Sequence, residues 1–488
     1  MITAEEYRNR LFNMKRNVYV DGELVGRDDP RLRPGVNVAS LTYELAADPQ
    51  YKGIMTATSH LSGGEINRFC HVHQTVEDLL NRQKMSRLYI HKVGECIQRC
   101  MGIDAVNALS VVTHEIDQAK GTEYHQRFLR YLEYFQKNDF YANCAQTDPK
   151  GDRSKRPREQ VDPDLYLRVV EKRKDGIIVR GAKIDITSAP QSDEIVVLPT
   201  RALTKEEGDW AVAFAVPSDT ERLYLSTRPA APRPRQTLEA PFATYGDAES
   251  FCIFDDVFVP WERVFMCGEW EFGGRAALLF ALFHRHSYTG CKPGVTDVLM
   301  GATALAAEYN GVQKAEHIRH KLADMIGVAE LVYAAGIAGS VTGQKHPSGT
   351  YVPDTIYCNV GRRHAGENIF HEHDILTDIG GGLMATLPGE GDFNDPKIGP
   401  LLDKYMMRNP NISSENQHRC HRLLQDLECS GYSGVWRVAG VHGGGSPIME
   451  TIAILSNYDL EARKNIAKEL AGIPVEQDSP EKEAKKEG

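Results

Sequence analysis

The chain has 488 residues, with 57 basic and 67 acidic side chains and a formal charge of −10. That length is about three times a modal domain, while 41% hydrophobic and 25% charged residues exclude collagen-like and disordered classes. An acidic total gives no support for a nucleic-acid groove, which needs a clustered basic face. Residues 1–16 are polar and amphipathic, without the apolar core of a secretion signal, and no apolar run approaches the roughly 18 to 20 residues that cross a bilayer. A cytosolic location is therefore expected, with neither membrane nor nucleic acid as partner.

Thr3 and Glu6 have capping-box spacing, which predicts a helix start. Val18 and Val20 flank Asp21-Gly22 ahead of Leu24, the pattern of a tight hairpin. From Thr75 to about Phe140 the apolar spacing is helical, through Leu79, Met85, Ile90, Val93 and Ile97 and later Phe128, Leu132 and Phe135. The texture changes after Thr147: a polar stretch at 151–163 precedes short β-like runs at 165–170, 177–179, 195–198, 211–216, 223–225 and 251–259. Ala- and Leu-rich helical texture returns from Gly273, interrupted at Gly380-Gly381-Gly382 and Gly443-Gly444-Gly445. The fold class is α+β, with a helical domain over 1–146, a β domain over 147–272, a second helical domain over 273–475 and a charged tail at 476–488.

Ten cysteines in a reducing compartment are buried thiols, metal ligands or nucleophiles. Cys96 and Cys100 fall within the helical pattern, where four residues turn the chain by roughly 400° and leave both sulfurs on one face. His284 and Cys291, seven apart, turn by roughly 700° and also share a face if helical. Taken singly, each pair is equally a set of small buried thiols and a core histidine. Together, three cysteines and one histidine match the ligand count of zinc, or of an iron–sulfur cluster with one non-cysteine ligand, and spacing does not choose between them. Tyr288 lies one turn from His284 and Lys292 follows Cys291, placing an acid and a cation beside the proposed metal. The glycine runs permit close backbone approach to a cofactor, or are plain turns.

Five segments carry a resemblance: Cys96-Ile-Gln-Arg-Cys100, Thr147-Asp-Pro-Lys-Gly-Asp-Arg153, Phe254-Asp-Asp-Val-Phe-Val-Pro260, His284 to Lys292, and His442-Gly-Gly-Gly-Ser-Pro447. They resemble the 4-hydroxybutyryl-CoA dehydratases, also vinylacetyl-CoA isomerases, within the flavin-dependent 4-hydroxyphenylacetate 3-hydroxylase superfamily. The resemblance is collinear through about Gly472, and the hydroxylase branch lacks the cluster ligands. It implies an acyl-CoA-dehydrogenase-like subunit with a middle β-barrel, a homotetramer, an FAD, a 4Fe-4S cluster and an acyl-CoA substrate. The family's cluster ligands fall on Cys96, Cys100, His284 and Cys291. Its flavin contacts fall on Thr147, Asp148, Lys150, Gly151, Asp152 and Arg153, on Thr187 and Ser188, and on Gly380, Gly381 and Gly382. Catalytic roles are implied for His284, Glu249, Tyr288, Lys292 and Gln98. One position departs: a family glutamate is replaced by Ala439, and because the segment before it is about three residues shorter, a shifted carboxylate such as Glu428 is the alternative.

In that chemistry the hydroxyl leaves from carbon 4 while the thioester acidifies only carbon 2, so the resemblance implies a flavin that takes an electron and a cluster that acts as a Lewis acid. His284, a neutral and exchangeable ligand, would also serve as base, Tyr288 would donate to the leaving hydroxide, and Glu249 would relay protons. Ala439 motivates one alternative, a related FAD and 4Fe-4S lyase or isomerase on another acyl-CoA. A two-component flavin monooxygenase is a second, and a non-catalytic assembly subunit a third.

Overall fold

In the computed structural model the described residues are 1–230, 235 and 237–474, so the charged tail at 476–488 lies outside the described residues. Helix α1 (Ala4–Phe12) begins on the expected capping box: Thr3 Oγ1 accepts the Glu6 N–H at 3.1 Å and the Glu6 carboxylate accepts the Thr3 N–H at 2.7 Å. Strands β1 (Val18–Val20) and β2 (Glu23–Val25) form the hairpin about Asp21-Gly22, both with positive φ. Helix α2 (Arg33–Ala47) and a small ribbon of β3 (Thr56–Thr58) and β4 (Glu65–Asn67) lead to α3 (Val76–Val93).

Here the structure departs from the periodicity. Helix α3 stops at Gly94, whose φ of +75° ends it in a left-handed cap, and α4 (Cys100–Lys120) starts only at the second cysteine. The intervening chain kinks at Gln98, also left-handed at φ 58°. Cys96 and Cys100 are therefore brought together by a loop between two helices, not by helical turns. Apolar spacing alone carries across such a break, because Ile97 is buried as a loop residue just as it would be on a helix.

Helix α5 (Tyr124–Lys137) follows, then the strands of two sheets: β5 (Ala142–Ala145), β6 (Arg168–Lys172), β7 (Gly176–Thr187), β8 (Glu194–Val197), β9 (Val212–Pro217), β10 (Leu223–Arg228), β11 (Glu249–Pro260) and β12 (Val264–Cys267). The six β-like runs read from the sequence fall on β6 to β11. One sheet has the order β2-β1-β10-β11-β7-β6 and the other β12-β9-β8-β5. They do not close into the expected barrel. In the larger sheet, β10 and β11 alternate buried and exposed residues, so one face meets water. The smaller sheet is buried on both faces, with α4 and α5 packed on it, and one apolar core spans both sheets. Both sheets thus hide their apolar faces by stacking, and closure adds nothing. Strands β1, β2 and β5, which precede Thr147, complete these sheets through β1–β10 and β5–β8 parallel pairs.

The second helical region is built on α6 (Gly273–Tyr309), 37 residues long and uninterrupted at Thr289-Gly290. It packs on α7 (Glu316–Val341), α8 (Thr355–Gly380) and α3. Helix α7 is long and apolar enough to cross a membrane by length and composition, a feature the sequence reading passed over; in the fold it lies between α6, α8 and α3. Helices α9 (Ser414–Cys429), α10 (Gly431–His442) and α11 (Pro447–Asn457) close the far side against α8.

Close contact of α3 with α6 depends on Gly290, where an added Cβ would lie 2.4 Å from the Gln83 carbonyl oxygen. Backbone cannot retreat as a side chain can, so Gly290→Ala is expected to cost about 1–3 kcal/mol by overpacking. Gly301→Ala on the same helix meets nothing within 4 Å and should gain up to about 1 kcal/mol from helix propensity. Opposite shifts of the urea unfolding midpoint check both.

Candidate active site

The loop ahead of α4, the first turn of α4 and the middle of α6 meet around three thiols. Cys96 and Cys100 lie close enough to interact, and the Cys96 thiol is the main influence drawing the Cys100 thiol down to about 5, with His284 helping against burial. The same interaction, then burial, pushes Cys96 the other way. Cys291, on α6, lies within electrostatic reach of both, and burial first, then Cys100, pushes it to about 12. His284, two turns earlier on α6, offers its ring toward Cys100; the ligand atoms of Cys100, Asp104 and His284 all lie within 4.8 Å of one another. Burial disfavours the imidazolium, but Asp104 and Cys100 outweigh it and hold His284 at about 10. The four residues named from the sequence thus converge on one buried space. Three soft thiols with one imidazole are a donor set suited to an iron–sulfur cluster or to zinc.

The glycine run after α10 reaches this space through its backbone. His284 Nε2 lies 3.1 Å from the Gly443 carbonyl, and Arg285 Nε donates to the Gly444 carbonyl at 3.0 Å. Arg362 donates to the Val441 carbonyl at 2.8 Å, and a Cβ on Gly444 would lie 2.4 Å from Arg362 Nε. This is the close approach for which glycine is needed. The Tyr288 hydroxyl donates to the Gly440 carbonyl at 3.0 Å, with the Arg362 guanidinium 4.2 Å over its ring. Burial raises the phenol far beyond its ordinary value, so Tyr288 stays protonated.

Lys292 lies within electrostatic reach of Cys291, with its ammonium engaged elsewhere. It forms a fully buried pair with Glu372 and donates to Thr296 Oγ1 at 3.0 Å, the two side chains being 1% and 0% exposed. Removing one partner of such a pair strands a buried charge, so Lys292→Ala is expected to destabilise by about 3–5 kcal/mol. Lys292→Met with Glu372→Leu should recover most of that, read by chemical denaturation.

A second group lies where the larger sheet meets the first helices. Gln98 is fully buried, its amide donating to the Gly246 carbonyl at 2.9 Å while its Oε1 has no partner. Three residues on, Glu249 opens β11 opposite Thr187, whose hydroxyl donates to Glu249 Oε1 at 2.7 Å. The other carboxylate oxygen is buried without a partner, and burial, then Asp247, raises Glu249 to about 8. Ser188, left-handed at φ 62°, joins this group to Tyr141 through a 2.6 Å hydroxyl contact, and Tyr141 lies within electrostatic reach of Cys100 and Cys96. Glu249 also lines an open cleft of about 890 Å³ with Arg228, Thr227 and Phe251.

The Thr147 to Arg153 loop is tethered rather than free. The Thr147 carbonyl accepts from Ile184 at 2.8 Å, buried Asp148 pairs with Lys183 at 2.9 Å and accepts from the Leu167 amide, and Gly151 turns the chain at φ 52°. Lys150, Asp152 and Arg153 are left exposed at its rim. Gly380 to Gly382 end α8, with Gly380 against Met384 and Leu424 and Gly381 at φ 71°. Glu428 is committed to His373 at 2.6 Å and to Arg437. Sequence reasoning missed Asp104, Arg285 and Arg362. Asp104 alone carried a signal, being one helical turn after Cys100.

Residues 3–266 match the 4-hydroxyphenylacetate 3-hydroxylase N-terminal family and residues 274–472 its C-terminal counterpart, so the chain belongs to the 4-hydroxyphenylacetate 3-hydroxylase family. Within it, the chain is 42% identical to the 4-hydroxybutyryl-CoA dehydratase/vinylacetyl-CoA-Δ-isomerase of Clostridium aminobutyricum, over 97% of this chain and 100% of that protein. An oxygen-tolerant archaeal 4-hydroxybutyryl-CoA dehydratase from N. maritimus superposes with a TM-score of 0.93 at 38% identity, covering 98% of this chain and 96% of the other. The oxygenase component of 4-hydroxyphenylacetate 3-monooxygenase, solved with FAD, superposes with a TM-score of 0.87 at 26% identity, covering 96% and 98%.

Proposed function

We propose that the chain is a lyase that dehydrates 4-hydroxybutyryl-CoA to crotonyl-CoA and isomerises vinylacetyl-CoA, using FAD and a 4Fe-4S cluster. The observation that carries this reading is the convergence of Cys96, Cys100 and Cys291 with His284, a donor set in a relative 42% identical to a protein of that activity. When bound, the flavin would supply one-electron chemistry and the cluster Lewis acidity.

The chain's own groups divide the remaining work. Cys96, Cys100, Cys291 and His284 would hold the iron. Tyr288, kept protonated and held by Gly440 and Arg362, would turn its one O–H from the Gly440 carbonyl to the departing hydroxyl. Glu249 moves a proton through its unpartnered oxygen, and Gln98 holds the loop between the cysteines against Gly246. Exposed Lys150 and Arg153 suit the phosphates of FAD, with Thr187, Ser188 and Gly380 to Gly382 as its further contacts. The segments 1–146, 147–272 and 273–475 act as the three parts of one acyl-CoA-dehydrogenase-like subunit. Exposed apolar side chains on α7, α8 and α11, among them Leu331, Val341, Phe370 and Leu455, support assembly as a homotetramer, in the cytosol.

Anaerobic purification followed by iron, sulfide and flavin analysis, with assays on both thioesters, tests this reading. About four irons and one flavin per chain with water loss from 4-hydroxybutyryl-CoA are expected. Isomerase activity alone would redirect the reading to a related enzyme on another acyl-CoA, as Ala439 suggests. Flavin without iron, and oxygen-dependent hydroxylation, would replace it with the monooxygenase.

A further inference from the structure

We infer that Asp104 is the positioning residue of the His284 imidazole, deciding which ring nitrogen faces the iron; this rests on the cluster reading above. Asp104 follows Cys100 by one turn of α4, so a sulfur and a carboxylate point the same way. The side chain is 1% exposed and both oxygens are engaged. Oδ2 accepts the His284 Nδ1–H at 2.9 Å, Oδ1 accepts the Ser287 hydroxyl at 2.9 Å, and the buried Arg82 guanidinium lies 3.6 Å from Oδ1. An ionised carboxylate only accepts, so it commits the Nδ1 proton. With Nδ1 committed, Nε2 is the nitrogen left for the iron; it donates to the Gly443 carbonyl at 3.1 Å, and giving up that proton is what would let its lone pair serve as a ligand. Phe280 stacks on the imidazole at 5.7 Å and 5°, resisting rotation of the ring.

The competing role is direct ligation, because Asp104 also lies within 4.8 Å of Cys100 and His284. Its oxygens argue otherwise: one is spent on the imidazole and the other on Ser287, with Arg82 beside it. Carboxylates placed behind ligating histidines orient the ring and raise its basicity, and their loss typically costs about 10–100-fold in metal affinity or activity.

The test uses the full-length protein purified anaerobically as wild type, Asp104→Asn, Asp104→Glu and Ser287→Ala. Iron and flavin per chain, the rate of iron loss to bipyridyl, and nitrogen hyperfine coupling of the reduced cluster are measured on each. Asp104→Asn is expected to keep its flavin but lose iron about 10–100-fold faster, with a changed nitrogen coupling. Ser287→Ala should move both readouts in the same direction by less, and Asp104→Glu should restore part of the difference. Iron loss at the wild-type rate with unchanged coupling in Asp104→Asn overturns the inference, as does wild-type iron without nitrogen coupling, which would make Asp104 itself the ligand. Should Asp104→Asn not fold, an unchanged Ser287→Ala overturns it equally. Wild-type protein that holds flavin but no iron overturns the cluster reading and this inference with it.

Discussion

Cys291→Ala is expected to leave a folded, flavin-containing chain that holds almost no iron and turns over neither thioester. The sulfur is one of three in a buried space, and it packs beside Tyr288, Val332 and Ala365. Removing one small atom from that contact costs about 1 kcal/mol of packing, far below what unfolds a chain of this size. As one of four ligands its loss is of another order: activity should fall by more than the about 10–100-fold typical of outer-shell changes. Cys429→Ala supplies the control, because that thiol is exposed on the end of α9. Iron content, visible absorbance and both assays should separate the two variants. Equal iron in both would show that Cys291 is a core thiol and nothing more.

Glu249→Gln is expected to lower turnover of both thioesters by about 10²–10⁴-fold, the usual worth of a positioned acid or base. The carboxyl has one oxygen bound by Thr187 and the other buried without a partner, so glutamine fits the same space but cannot ionise. With Glu249 at about 8, its neutral form prevails at pH 7 and the ionised form grows above. If its task is to take a proton, wild-type kcat/KM rises with pH, reaches half its plateau near 8 and levels off above that, and the rise vanishes in Glu249→Gln. Stability runs the other way. A carboxyl raised from 4.5 contributes fully below that value, and its contribution is lost as pH climbs toward about 8. The variant should therefore lose less stability than the wild type between pH 5 and 8, as denaturant titrations at several pH values would show. A flat wild-type rate profile over that window would remove Glu249 from proton transfer.

The sequence made much of this legible, for reasons that differ from element to element. Capping at Thr3, the Asp21-Gly22 hairpin and the strands β6 to β11 are local events, set by residues within a few positions. The helix α6 was readable because its pattern is long. The break between α3 and α4 was not, because Gly94 and a left-handed Gln98 interrupt the backbone without interrupting the run of buried apolar residues. Cys96 and Cys100 were paired correctly for a geometric reason that proved false. Stacking rather than closure of the sheets depends on β1, β2 and β5 arriving from outside the β segment, which no local signal announces. Lys292 shows another limit: its sequence place beside Cys291 gives no sign of the buried Glu372 it pairs with in space.

The wall of the site after α10 is read almost wholly through its main chain. His284, Tyr288, Arg285 and Arg362 take the carbonyls of Gly443, Gly440, Gly444 and Val441, whatever side chains stand there. Drift is thereby partitioned along this stretch. Gly444 must stay small against Arg362, whereas Ala439 stands one residue before the carbonyl that steadies Tyr288 and takes no part through its side chain in any of these four contacts.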